Sequence, residues 1–332
     1  MLKAVEYMLY VAFGLNMILN LFLLYIVKRF TSRTMKMFGD LIIQSIIIDI
    51  VASVLLTMVQ LTVESKDGIV FFGSQNPWLP LPGKWQCSPV SIFAVAFNVS
   101  FTSVPLQAMY RYVIIVRKHK VPSWCPLLVY AAVALFIAGT TFSLPFLADT
   151  NSHQLQKLQS MEFWRGENTQ VLCAVNIFSW PVILYLMGLT TLETSGILAL
   201  LWFTNRLNAT LNNVQMHFSP KTKQVHKEMT RKLYAQAAIP SITIVILVFI
   251  CAGLFLMPNY YGGLFVLLIL PLPWIVVINP LVTFCCIKQY RSVAIAILQG
   301  RCAEIKSNMS ISPQKVTTVM GSRSFASATV TK

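Results

Sequence analysis

Two acids, Asp49 and Glu193, stand inside long apolar stretches of this 332-residue chain. An ionisable group in a bilayer interior is costly, so each requires an account. Asp49 has company, since Asn20 lies in an earlier apolar run and Asn279-Pro280 in the last one. Polar residues on three helices can meet at the centre of a bundle, joined by water. Such a network serves as a hinge or an ion site, or it glues helices together by pairing across them. Pro280 favours switching, because it removes a backbone hydrogen bond beside the network. Glu193 is either protonated or paired. No nucleophile–base set accompanies these acids, and the four histidines, His119, His153, His217 and His226, are scattered. Neither an enzyme nor a metal or other cofactor is expected.

A second constellation lies along the stretch 87–116. Cys87, Ser91, Asn98 and Thr102 follow at steps of four, seven and four, which is one helical face. Ser91 and Asn98, with Trp85 at the rim, would line an outer ligand pocket. Ordinary interhelical hydrogen bonding explains the same face equally well. At the other end stands Tyr110-Arg111-Tyr112. Arg111 follows Cys87 by 24 residues, or roughly 36 Å of helix, about one membrane thickness. An arginine at such a rim snorkels to phosphates or holds neighbouring helices in one of two states.

The elements that must position these residues are apolar runs at 5–27, 40–63, 87–116, 127–148, 178–203, 233–257 and 264–287. Each is long enough for a helix to cross a ~30 Å hydrocarbon core, and in lipid such runs become helices. The chain is 56% hydrophobic and 11% charged, with a mean hydropathy of +0.67, which excludes a soluble domain of this size. No internal repeat appears, and seven runs do not divide into equal halves as many transporters do. The expected fold is an all-α membrane protein, a seven-transmembrane-helix bundle over 1–302. The first run is too long for a cleaved signal peptide and is expected to stay as an anchor.

Charge orients the bundle. With the N-terminus outside, twenty Lys and Arg fall in inner loops and the tail against five outside. That places the N-terminus out and the C-terminus in. The net charge of +15 is then orientation plus attraction to anionic membrane lipid, and no nucleic acid is expected. Of seven cysteines, only Cys87 and Cys173 lie near the outer face, where a disulfide is favoured over two free thiols. The sequons at Asn98, Asn208 and Asn308 fall within a span or inside, so none should carry glycan. Residues 288–298, Lys288-Gln289-Tyr290-Arg291 and an apolar-patterned continuation, suit a short amphipathic helix on the inner leaflet. The stretch 303–332 holds ten Ser/Thr and no apolar periodicity, which suits a disordered, phosphorylatable tail.

These residues resemble a G-protein-coupled receptor: seven spans, Cys87 with Cys173, Arg111 ending span three and Asn279-Pro280 in span seven. The familiar Asp/Glu-Arg-Tyr and Asn-Pro-x-x-Tyr stand here as Tyr110-Arg111-Tyr112 and Asn279-Pro280-Leu281-Val282-Thr283, and Cys-Trp-x-Pro is missing. The departures are similar to the nematode serpentine chemoreceptors of the Str superfamily, most of all class d (Srd). That group shows Tyr-Arg-Tyr, a Gln-x-x-x-Pro start to span six, here Gln236 to Pro240, and Asn-Pro-x-x-Thr followed by Tyr-Arg, here Thr283 and Tyr290-Arg291. The resemblance implies a plasma-membrane receptor of sensory-neuron cilia. It would bind a small odorant or pheromone outside and activate a heterotrimeric G protein. Tyr110, Arg111, Tyr112, Asn279, Pro280, Thr283, Tyr290 and Arg291 would serve switching and coupling. The alternative is a seven-span ligand-gated cation channel of inverted topology, which the charge bias opposes.

Overall fold

A computed structural model shows a mostly helical chain. It describes residues 2–301 except 32–35, 77, 80–82, 118–121, 123, 143–145, 147–151, 167–171, 177, 213–219, 256–261, 264 and 267–269. The expected tail, Cys302, the Asn308 sequon, His119 and His217 lie outside the described residues.

Helix α1 spans Leu2–Phe30 and α2 spans Lys36–Val59. Helix α3 spans Pro89–Ile115 and α4 spans Cys125–Thr141. Both carry proline in the first turn, where the missing N–H costs nothing. Short α5 is Ser152–Gln159, α6 is Trp180–Asn212 and α7 is Pro220–Phe255. Helix α8, Pro271–Cys286, ends at extended Ile287 and is followed by α9, Lys288–Leu298, at a bend of 98°. By length and apolar character α1, α2, α3 and α6 can each cross a membrane, as can the α8–α9 pair if it counts as one span.

The all-α expectation needs correction. Strands β1 (Leu61–Lys66), β2 (Ile69–Ser74) and β3 (Leu172–Asn176) form an antiparallel sheet in the order β1-β2-β3. The apolar run expected to continue to residue 63 stops being helical at Val59, because Gln60 takes φ +44° and turns the chain into β1. Lys66 faces Ile69 across a two-residue turn at Asp67 (φ +51°) and Gly68 (φ +74°), where glycine meets no Cβ penalty. Helices α6 and α7 overshoot their expected spans, α6 by nine residues at its end and α7 by thirteen at its start.

The solvation pattern is inverted relative to a water-soluble protein. Leu135 is 74% exposed, Ile18 66% and Leu184 63%, whereas Asn16 and Asn20 are fully buried. Apolar surface outside and polar groups within is the arrangement lipid imposes. One apolar core joins Leu23, Ile26 and Phe30 of α1, Phe38 and Ile42 of α2, Met229 of α7 and Tyr290 of α9. A second lies at the sheet, around Phe71, Leu158, Trp164 and Leu172.

Candidate functional site

The buried carboxylate of α2 is the centre of the site. Asn279 of α8 donates from Nδ2 to Asp49 Oδ1 at 2.9 Å, and Ser100 of α3 donates to the same oxygen at 3.2 Å. Asn16 of α1 donates to the Asp49 backbone carbonyl at 3.3 Å. Asn20 reaches the group through Asn16, donating to its Oδ1 at 2.7 Å. The three sequence-marked residues Asn20, Asp49 and Asn279 therefore share one network, with Asn20 an indirect member. Helices α3 and α8 meet on the Asp49 side chain of α2, and α1 on its backbone carbonyl. Pro280 lies inside α8 immediately after Asn279, and the Thr283 hydroxyl donates to the Asn279 carbonyl at 3.1 Å.

Beside Asp49 lies a cavity of about 20 Å³, lined among others by Phe97, Ser100, Gln236 and Asn279. That is room for a single water with polar partners. Gln236 of α7 is 3% exposed, and its Oε1 has no hydrogen-bond partner.

Arg111 does not snorkel. It is 1% exposed and turned inward. Its Nη2 donates to the His226 carbonyl at 3.2 Å and to the Thr230 hydroxyl at 3.4 Å, both on α7. Its guanidinium also sits over the Phe38 ring of α2, 5.6 Å from the centroid. Arg111 thus ties α3 to α7 and α2, yet Nε and Nη1 have no hydrogen-bond partner. One turn outward on α3, Gln107 is buried with both amide atoms unpartnered. Lys232 of α7 is fully buried, has no hydrogen-bond partner at Nζ, and feels the charges of both Asp49 and Arg111. His226 is pushed down to about 4, first by burial and then by Arg111, so its imidazole is neutral at pH 7.

The flanking residues divide. Tyr112 packs on Trp202 and Phe203 of α6, at 5.5 and 5.3 Å between centroids, while Tyr110 stays half-buried. Tyr290 is fully buried, its hydroxyl 3.0 Å from the Thr31 hydroxyl. Burial raises that phenol above its ordinary value, and the Thr31 hydrogen bond partly offsets this. Arg291 is exposed and donates to the Cys285 carbonyl at 3.2 Å.

At the end of the bundle that carries the sheet, Cys87 and Cys173 form a disulfide, with Cα atoms 5.7 Å apart. It fastens β3 to the start of α3. The expected pocket trio does not converge. Ser91 spends its hydroxyl on the Thr141 carbonyl of α4 at 2.8 Å, Asn98 donates to Ala94 of its own helix at 2.8 Å, and Trp85 is half exposed. The cavity beside Asp49 is lined instead by Phe97, Ser100 and Phe101 of α3. Of the chosen polar face of α3, Ser91 bonds across to α4, while Asn98 and Thr102 bond within α3.

Sequence reasoning missed Asn16, Ser100, Gln107 and Lys232. Asn16 lies one turn before Asn20, a spacing that signals a shared face. Lys232 was counted among loop charges, since its burial appears only once α7 begins at Pro220.

Compared with known proteins, residues 5–296 match the family model described as serpentine type 7TM GPCR chemoreceptor Srd. No curated protein matches the chain.

Proposed function

We propose a function on one premise: this chain belongs to the serpentine type 7TM GPCR chemoreceptors of class Srd. It is a chemosensory membrane receptor. On our reading α1, α2, α3, α4, α6, the apolar part of α7, and α8 are the seven spans, with the N-terminus out and α9 along the inner leaflet. The inner excess of Lys and Arg supports that orientation. The protein sits in the plasma membrane of a sensory cilium, takes a small odorant or pheromone from outside, and activates a heterotrimeric G protein inside.

The observation that carries this reading is Arg111. Its contacts to the His226 carbonyl and the Thr230 hydroxyl hold α3 against α7 with much of its hydrogen-bonding capacity unused. A bound ligand favours whichever arrangement of α7 it fits better, and it shifts the balance only by that difference in affinity. Releasing α7 from Arg111 opens the inner end to a G protein. Asp49, Asn279 and Pro280 form the hinge that lets α8 accommodate the movement.

The test is ligand-stimulated nucleotide exchange on a G protein co-expressed with the receptor. Arg111→Ala, matched for surface expression, should lower the response by about tenfold or more, the scale of a typical coupling energy. An unchanged response would remove Arg111 from the switch. Glycosylation mapping checks orientation: an acceptor engineered at the N-terminus should be modified, and Asn208 and Asn308 should not. Modification at Asn308 would collapse the G-protein reading.

A further inference from the structure

Between the ends of α6 and α7 lies a groove of about 670 Å³, whose wall includes the Arg111 partner Thr230 but whose other lining residues the proposed switch does not use. Its lining includes Lys223, Lys227 and Arg231 of α7, Asn208 and Asn212 of α6, and Tyr234 at its base. The three cations recur every fourth residue, so they form one stripe on α7, and all three are exposed. No acid lines the groove among the described residues. Glu228, outside the lining, accepts from Gln224 Nε2 on the groove wall at 2.9 Å and from the Lys288 backbone N–H at 3.2 Å. The stripe is therefore a file of like charges with no carboxylate among the groove-lining residues, suited to receive a polyanion.

The depth of the groove selects the kind of anion. Trp202 is 48% exposed with Arg206 over its ring at 5.8 Å, and the Tyr234 hydroxyl lies 3.5 Å from Asn205 Oδ1. Exposed aromatics paired with polar groups mark the membrane–water interface. Measured along α7 from Tyr234, Arg231 lies ~4.5 Å beyond that level, Lys227 ~10 Å and Lys223 ~16 Å. The headgroup layer extends only ~5–8 Å past the hydrocarbon. A lipid with a single phosphodiester meets Arg231 and stops. A lipid whose headgroup bears further phosphates, raised above the bilayer on a sugar ring, also reaches Lys227.

We propose that the groove between α6 and α7 binds the headgroup of a multiply phosphorylated inositol lipid of the inner leaflet. Arg231 takes the phosphodiester, Lys227 takes the ring phosphates, and Asn208 and Asn212 donate from the opposite wall. The site rests on the proposed orientation, which puts these ends of α6 and α7 inside. It bridges α6 to α7, the helix that the proposed switch releases from Arg111, so bound lipid biases the position of α7.

The experiment uses the full-length receptor in nanodiscs of phosphatidylcholine doped with phosphatidylinositol bisphosphate or phosphatidylserine, with retained lipid counted by native mass spectrometry. The expected result is about a tenfold preference for the phosphoinositide, lost in Lys227→Gln/Arg231→Gln. The charge-keeping swap Lys227→Arg/Arg231→Lys should retain it, as should Lys28→Gln/Arg29→Gln. Equal loss from the Lys28/Arg29 pair, or equal uptake of phosphatidylserine, would overturn the site as mere basicity. Full displacement by an equimolar soluble inositol phosphate would overturn the lipid as its occupant. If Lys227→Gln/Arg231→Gln kept the lipid preference but abolished nucleotide exchange, the groove would be a protein-docking surface instead. Both faces of a nanodisc are open, so lipid preference is read whatever the topology. Glycan at Asn308 would sink the orientation alone.

Discussion

The cap around the sheet and the junction of α3 with α7 treat their buried charged groups in opposite ways. In the cap, Glu64 of β1 is fully buried and its carboxylate accepts from Trp164 Nε1 at 3.0 Å, from Ser65 N–H at 3.1 Å and from Gly263 N–H. The Cys87–Cys173 bridge and a three-stranded sheet close the same region. At the junction, atoms of Gln107, Arg111, Lys232 and Gln236 are buried without hydrogen-bond partners. Unsatisfied buried polar atoms are rare in a resting core, because each costs about 1–3 kcal/mol. The contrast separates a cap fixed in one arrangement from a junction whose hydrogen bonds are incomplete in this one. The proposed switch, with a ligand held at the cap and movement at the junction, needs that division.

Breaking the cap should have the largest effect. The disulfide links residues 86 apart in sequence, and loop-closure entropy sets its contribution at up to about 4–5 kcal/mol. Cys87→Ser/Cys173→Ser should lower the melting temperature of the detergent-purified receptor by many degrees and abolish ligand response. Thermal unfolding followed by thiol labelling reads the first, and ligand-stimulated nucleotide exchange reads the second. A melting temperature within a degree or two of the parent would mean that the sheet and Glu64 hold the cap unaided.

That cap was written in the sequence and overlooked. Asp67-Gly68 between Leu61–Lys66 and Ile69–Ser74 is a strong short-range hairpin signal. Because β1 follows α2 after one residue, its apolar positions extend the apolar run of the span, and composition alone cannot divide them. The central network was more legible: an acid in an apolar run must have partners, and Asn279 is bonded to it. Ser100 was not legible, since α3 carries polar residues on more than one face and hydropathy does not say which face meets α2. The junction was the least legible. Lys232 stands beside Arg231 among basic residues that look like loop, and only the early start of α7 makes one of the two exposed and the other buried.

Relieving the junction is the next largest effect. Lys232→Met keeps the volume and removes a buried ammonium that lacks a hydrogen-bond partner. Replacing poorly compensated buried charge with an apolar side chain is often stabilising, here by about 1–3 kcal/mol. The expected outcome is a higher melting temperature with a weaker G-protein response, as the incomplete arrangement becomes the comfortable one. A lower melting temperature would mean that attraction from Asp49 already compensates Lys232 in the resting state. The comparison between cap and junction would then lose its main support.

The smallest effect tests the same junction by acid. His226 lies against Phe38, with ring centroids 5.0 Å apart, and beside Arg111, and its proton affinity is held down to about 4. An unfolded histidine titrates near 6.5. Between those values the unfolded chain binds a proton that the folded chain refuses, so folded stability falls as pH drops from about 6.5 towards 4. His226→Gln removes that penalty while keeping a polar side chain of similar reach. Melting temperatures of parent and variant measured from pH 7.5 to 5 should diverge, with the parent losing stability faster below about 6.5. Carboxylates elsewhere titrate alike in both proteins, so they cancel in the difference. Parallel curves would mean that the His226 side chain is as free to charge in the folded receptor as in the unfolded chain. The junction would then be wet enough at rest to solvate Arg111 and His226 together, which is the condition the cap never meets.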